Sequence, residues 1–200
     1  MPNWTKNELR ITGNKVTLKE FKERAVDFGP NYKQTQLDKT VFGDKEPEKS
    51  ILSFNAFLPV PEKLLKRSYG GEDESKKGTA TPVDCCRSGY EWEGTHWGCK
   101  WGACDISVRE ESLDVNTRDV KQLEKMLGVD PTLIYEFDTA WAPPETFLQK
   151  VSEMYPNLTF VNKSLDEYDG YKMFTEVTYK KGIRSRPKHS KNPDYEGEEE

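Results

Sequence analysis

No apolar run in this 200-residue sequence is long enough to span a bilayer, and the N-terminus carries no apolar leader segment. Both absences lead us to expect a soluble protein, kept in a reducing cytoplasm and not placed on a membrane. Hydrophobic residues are scarce, 34% against 32% charged, so any core is small and polar at its edges. Histidine is nearly missing, with only His96 and His189. There is no phosphate-binding loop, zinc-protease helix or nucleophile elbow. Without them no reaction is legible and an enzyme is the less favoured reading. No motif requires a cofactor, so none is expected.

The four cysteines are Cys85, Cys86, Cys99 and Cys104. Adjacent Cys85 and Cys86 argue against a disulfide framework, and a reducing compartment leaves free thiols. With His96 they have the ligand types of a zinc site, but their spacing fits no zinc knuckle. Small buried thiols are the ordinary reading, and no metal is expected.

The net charge of −5 hides an asymmetry. Residues 180–191 hold six Lys or Arg, and residues 192–200 hold five Asp or Glu. Such runs predict a flexible charged tail over 181–200. The rest of the chain is acidic, so nucleic acid is a possible partner but not the favoured one.

Aromatics are what the chain has in quantity: five Trp, nine Tyr and nine Phe. They concentrate in Thr95–Asp105 and again in Phe137–Pro144. Around these, periodicity predicts the elements. Asn7–Gly13 alternates as a strand. Thr17, three residues before Glu20, has capping-box spacing, and Leu18, Phe21, Ala25 and Phe28 follow at helical intervals. Thr40–Phe42 has weak strand character, and Ile51–Leu58 reads as a second strong strand. Residues 68–82 read as a solvated loop. Helical character is expected in the first part of 84–105, then a strand from Cys104. A short helix carries Val120, Leu123 and Leu127. A strand over Leu133–Trp141 puts Leu133, Tyr135, Phe137, Thr139 and Trp141 on one face. Pro143-Pro144 opens a helix buried through Phe147, Leu148, Val151, Met154 and Tyr155. Leu158–Leu165 and Tyr171–Tyr179 form a hairpin across Asp169-Gly170.

Two strand–helix–strand units, Asn7–Leu58 and Leu133–Leu165, predict an α+β ferredoxin-like sandwich. It is a mainly antiparallel sheet with two helices on one face, plus an inserted Trp/Cys-rich helical segment. The domain spans 1–180, with insertions at about 59–103 and 110–130.

Three stretches carry a family resemblance. Met1-Pro2-Asn3-Trp4 followed by Asn7–Gly13 is similar to the start of the YubB ferredoxin-like proteins of phages and plasmids. Trp97-Gly98-Cys99-Lys100-Trp101 resembles that family's Trp-Gly-Thr-Lys-Trp motif. Thr139-Ala140-Trp141-Ala142-Pro143-Pro144 resembles its Thr-Ala-Trp-Ser-Pro-Pro motif. Cys99 stands where the family has Thr, and His96 where Asn is common. The resemblance implies the ferredoxin-like fold and a mobile genetic element as source, and no established activity.

Trp97, Lys100, Trp101, Asp105, Asp138 and Trp141 are the candidate ligand-binding residues. The tryptophans offer faces for a planar group, but large aromatics mostly pack, and Trp141 is expected to lock the Trp97–Trp101 segment to the sheet. Lys100 either contacts an anion or lies across an indole. Asp105 and Asp138 are candidates for an acid–base pair or a divalent-cation site, against the ordinary reading of turn caps or lysine partners. The function expected is a non-enzymatic binding or accessory protein of a phage or plasmid, acting on a host protein or small molecule, with counter-defence one setting. The alternative is a nucleotide- or nucleic-acid-directed protein or enzyme using a Trp/Lys/Asp pocket.

Overall fold

The computed structural model describes residues 2–34, 48–67, 69–70, 82–111 and 131–195. The expectations for Thr40–Phe42, for most of the 68–82 loop and for the Val120–Leu127 helix lie outside these residues. No helix among the described residues is long and apolar enough to cross a membrane.

Strand β1 (Trp4–Thr12) lies at the centre of the sheet. Helix α1 (Lys15–Ala25) follows. Strand β4 (Lys100–Glu111) runs antiparallel to β5 (Thr132–Ala140). Helix α4 (Glu145–Met154) leads to β6 (Thr159–Asp166), which hairpins into β7 (Met173–Lys180). The order β4-β5-β1-β6, with every neighbour antiparallel, is two interleaved split βαβ units. The ferredoxin-like α+β sandwich is therefore present.

Alternation on β1 and β5 decides which face the helices cover. Leu9 and Ile11 are buried on β1, and Leu133, Tyr135 and Phe137 on β5. Phe21 of α1 meets Tyr135 and Phe160 edge-on, at 6.3 and 5.7 Å between ring centres. Phe147 of α4 stacks on Phe54 at 3.9 Å, and Phe54 meets Phe137 edge-on. The α4 stripe is Phe147, Leu148, Val151 and Ser152; Met154, expected in it, is exposed. On the opposite face Arg10 and Arg109 bridge Glu8, Glu111 and Glu136.

Further expectations change. Phe28, expected on the α1 stripe, lies beyond the end of that helix and is half-exposed. The Ile51–Leu58 strand is not formed. A two-residue β3 (Lys49–Ser50) pairs with β2 (Asp27–Phe28), and a 3-10 turn occupies Phe54–Ala56. Side chains turn the chain here: Ser53 Oγ donates to Phe28 O, and Asn55 Oδ1 accepts from Val60 N. The second strand of the first unit is β4 instead. Everything between α1 and β4, including α2 (Glu62–Leu65) and α3 (Gly89–His96), is an excursion of that crossover.

The α1 cap is Asn14, whose Oδ1 accepts from Thr17 N at 2.9 Å, and not Thr17. The tail expected to be flexible from 181 is paired on β7. Strands β8 (Ile183–Arg184) and β9 (Lys188–Lys191) both join it. Lys181 and Gly182, at φ 55° and 77°, make the two-residue turn into β8. Charge counting missed this because the partners are backbone groups of β7. The remaining change, at Trp141, belongs to the site.

Candidate functional site

The site is built around α3 and the start of β4. Ser88 caps α3 by accepting from Glu91 N. Gly89, Trp92, Glu93 and His96 then recur at helical spacing, and the first three are buried. Gly89 is required there, because the Tyr32 ring occupies the place of a Cβ. That approach brings the Tyr32 hydroxyl to Glu93 Oε1 at 2.9 Å, while the Tyr69 hydroxyl donates to Oε2, also at 2.9 Å.

The third donor to Glu93 is the backbone N–H of Trp101, at 2.8 Å. Burial pushes the Glu93 carboxyl up, against the three hydrogen bonds that favour its charged form. Trp101 sits at φ 64° and is 47% exposed. A left-handed backbone is unusual for a bulky residue and persists only where its surroundings hold it. Glu93 is that hold.

The three motif tryptophans are used differently. Trp97 is 1% exposed, donates its indole N–H to Leu58 O, and meets Phe54 and Trp92 edge-on. It is core. Trp101 tilts against Trp4 at 6.2 Å. Trp141 is 51% exposed, at φ 76°, with its N–H donating to Asn3 O at 2.8 Å. The expected burial of Trp141 against the Trp97–Trp101 segment is thus corrected: its ring is half-exposed and meets that segment through Lys100. β5 ends at Ala140, and the left-handed residue takes the indole off the buried face. Lys100 Nζ lies 4.1 Å from the centre of the Tyr90 ring and 5.0 Å from that of Trp141. It is held by aromatic faces, one of its two expected uses.

A cleft of about 560 Å3 opens beside Trp101 among the described residues. Trp97, Trp101, Cys104 and Asp105 line one wall, and residues 50–54 line the other. This volume suits a small ligand, and the lining is apolar with a few polar groups. Of the six candidate residues, Trp97, Trp101 and Asp105 line it, and Lys100, Asp138 and Trp141 do not. Asp138 is placed across from Cys104 and from Lys6. Burial pushes its carboxyl up, with Lys6 opposing and Asp105 adding.

The zinc-type residues are dispersed. Cys85 is exposed, Cys86 and Cys99 are buried and Cys104 is half-buried. His96 stacks on Trp92 at 4.4 Å and bonds Asp84 through Nε2 at 2.6 Å. Among the described residues no three His, Cys, Asp or Glu side chains gather as a metal site. Burial raises the thiols of Cys86, Cys99 and Cys104.

Sequence reasoning missed Glu93, Tyr32, Tyr69 and Tyr90. A glutamate at stripe spacing, adjacent to Trp92 and four residues after Gly89, was the available signal for Glu93.

Fold and site define a ferredoxin-like α+β protein with an aromatic cleft among the described residues. Residues 114–191 match the family described as the ferredoxin-like domain in Api92-like protein. In a solved structure, protein api92 from Yersinia pseudotuberculosis, the likeness covers 98% of this chain and 100% of that one. The TM-score is 0.61 at 10% identity, a likeness of fold alone. No curated protein matches the chain.

Proposed function

We propose that this is a non-enzymatic binding protein that takes a small planar group in the Trp101 cleft. The observation carrying this reading is Trp101 itself: half-exposed, left-handed, and pinned through its N–H to a buried carboxylate beside a ligand-sized cleft. The bond fixes the Trp101 backbone and Trp4 tilts against its ring, so the indole is held before a ligand arrives, which reduces the ordering cost of binding. The three motifs resembling YubB proteins support a source in a phage or plasmid. They also support action by occupancy on a host protein or small molecule in a bacterial cytoplasm, counter-defence being one setting. The reading as a nucleotide-directed enzyme finds no support. It needs Lys100, Asp105 and Asp138 together, whereas Lys100 lies over Tyr90 and Trp141 and Asp138 is outside the cleft wall.

The test is an NMR titration of the Trp101 indole N–H, assigned by its loss in Trp101→Phe. The probes are benzamide, adenosine monophosphate and methylguanidinium. At least one should shift that resonance at saturating concentration, and Trp101→Ala should lose the binding while keeping its melting temperature. Silence from all three probes, or undiminished binding in Trp101→Ala, defeats the proposal.

A further inference from the structure

The lining of the Trp101 cleft carries an excess of negative charge. Its ionisable carboxylates are Glu48 and Asp105, against the single cation Lys49. The Asp105 side chain makes no hydrogen bond or ion pair with another described residue. It sits at φ 49° in a break of the β4–β5 register between Cys104 and Ser107. Irregularities of this kind re-aim a side chain away from the strand's alternation. Two more carboxyl groups stand behind the wall, Asp138 across from Cys104 and from Lys6, and Glu93 on the Trp101 backbone N–H; burial pushes both toward their uncharged forms. Burial raises the Cys104 thiol first, and Asp105, Asp138 and Glu93 each add to it. Glu48 and Asp105 against Lys49 leave the cleft lining net negative, which disfavours a phosphate and favours a cation.

An exposed indole face supplies the other half of a cation site. A guanidinium is flat, weakly hydrated and forked, so it can lie on the indole and bond a carboxylate through two N–H groups at once. An ammonium is compact and strongly hydrated and does neither as well. The neighbouring surface already holds one internal cation on aromatic rings, Lys100 over Tyr90 and Trp141.

Resting on the cleft reading above, we propose that the cleft binds a guanidinium group, laid on the Trp101 indole and forked onto the Asp105 carboxylate. The group can come from a free small molecule or from an arginine side chain of a partner protein.

Titration calorimetry of the full chain with methylguanidinium and methylammonium tests this. Methylguanidinium should bind about tenfold more tightly or better. Asp105→Asn, which tolerates the left-handed backbone, should weaken methylguanidinium about tenfold or more while melting as the wild type does. Comparison of L-argininamide with an acetyl-Gly-Arg-Gly-amide peptide separates the sources. Tighter binding of the peptide assigns a partner's arginine, and equal binding assigns a small molecule. Equal affinity for the two probes, or an unchanged Asp105→Asn, overturns the proposal. A response at Trp101 to benzamide or adenosine monophosphate without one to methylguanidinium removes the guanidinium and leaves the cleft. Silence from the whole set removes both.

Discussion

Glu93 and Trp101 are joined by one hydrogen bond, from the Trp101 backbone N–H to Glu93 Oε2 at 2.8 Å. Glu93 is almost fully buried, and Trp101 is half-exposed. The bond links a hidden carboxylate in α3 to the surface residue that forms the cleft wall. The same carboxylate collects the hydroxyls of Tyr32 and Tyr69. One side chain therefore ties the loop after β2, the segment after α2, and the start of β4.

Replacing Glu93 by alanine leaves three donors without their acceptor. We expect a loss of about 2–4 kcal/mol, since each orphaned buried donor costs about 1–3 kcal/mol and some gain water. Urea unfolding followed by far-UV dichroism gives the number. The Trp101 indole should also move from its wild-type NMR position; an unmoved resonance would mean that Glu93 does not position it.

Glu93 also sets a pH dependence. Its folded carboxyl is raised by burial above the unfolded value. The native state thus holds a proton that the unfolded state has released, and stability falls as pH rises from the ordinary carboxylate range through the raised value. Glu93→Gln cannot titrate and should lack that component of the slope. Urea midpoints between about pH 4 and pH 7 compare the two proteins; parallel profiles would count against it.

The tryptophans should separate in stability. Trp97→Ala empties a core position and should cost about 3–5 kcal/mol. Trp141→Ala, at a half-exposed site outside the core, should stay within about 1 kcal/mol. At φ 76°, Trp141→Gly should be at least as stable as Trp141→Ala, because glycine adopts that backbone without strain. Thermal melts of the three variants suffice. An unfolded Trp141→Ala would restore the packing role that the structure removes.

Removing residues 186–200 strips β9 from β7. We expect a loss of about 1–2 kcal/mol, equivalent to a few ladder hydrogen bonds. Amide exchange should accelerate along the β7 edge that faces β9. Unchanged exchange there would show that the C-terminal segment contributes no pairing in solution.

Much of the fold was legible because its signals are local. Alternation in β1 and β5, the Leu18–Phe21–Ala25 stripe of α1, and the Asp169-Gly170 turn each follow from spacing within one element. The ferredoxin-like pairing followed from the order of those elements. Ile51–Leu58 defeated the same reasoning. A short apolar run fits a strand as well as a buried turn, and Ser53 and Asn55 decide between them through bonds to distant backbone. The candidate site was half legible: the Trp97–Trp101 and Trp141 motifs marked its place, while their separate uses stayed hidden.

What the sequence alone determined is the central strands β1, β5, β6 and β7 with the two helices that cover them, the aromatic concentration around Trp97–Trp141, and the acidity of the chain. Only the tertiary structure decided that Trp97 is core while Trp101 and Trp141 face outward, and that Glu93 is the hold on Trp101. Only it showed that Asp105 enters a cleft which Asp138 does not. The physical reason is that exposure and charge environment are pairwise properties. Trp97 is buried by Phe54 and Trp92, and Trp101 is fixed by a carboxylate eight residues away. Left-handed backbone at Trp101, Asp105 and Trp141 breaks the alternation from which facing is read. It persists because contacts from elsewhere in the chain hold it.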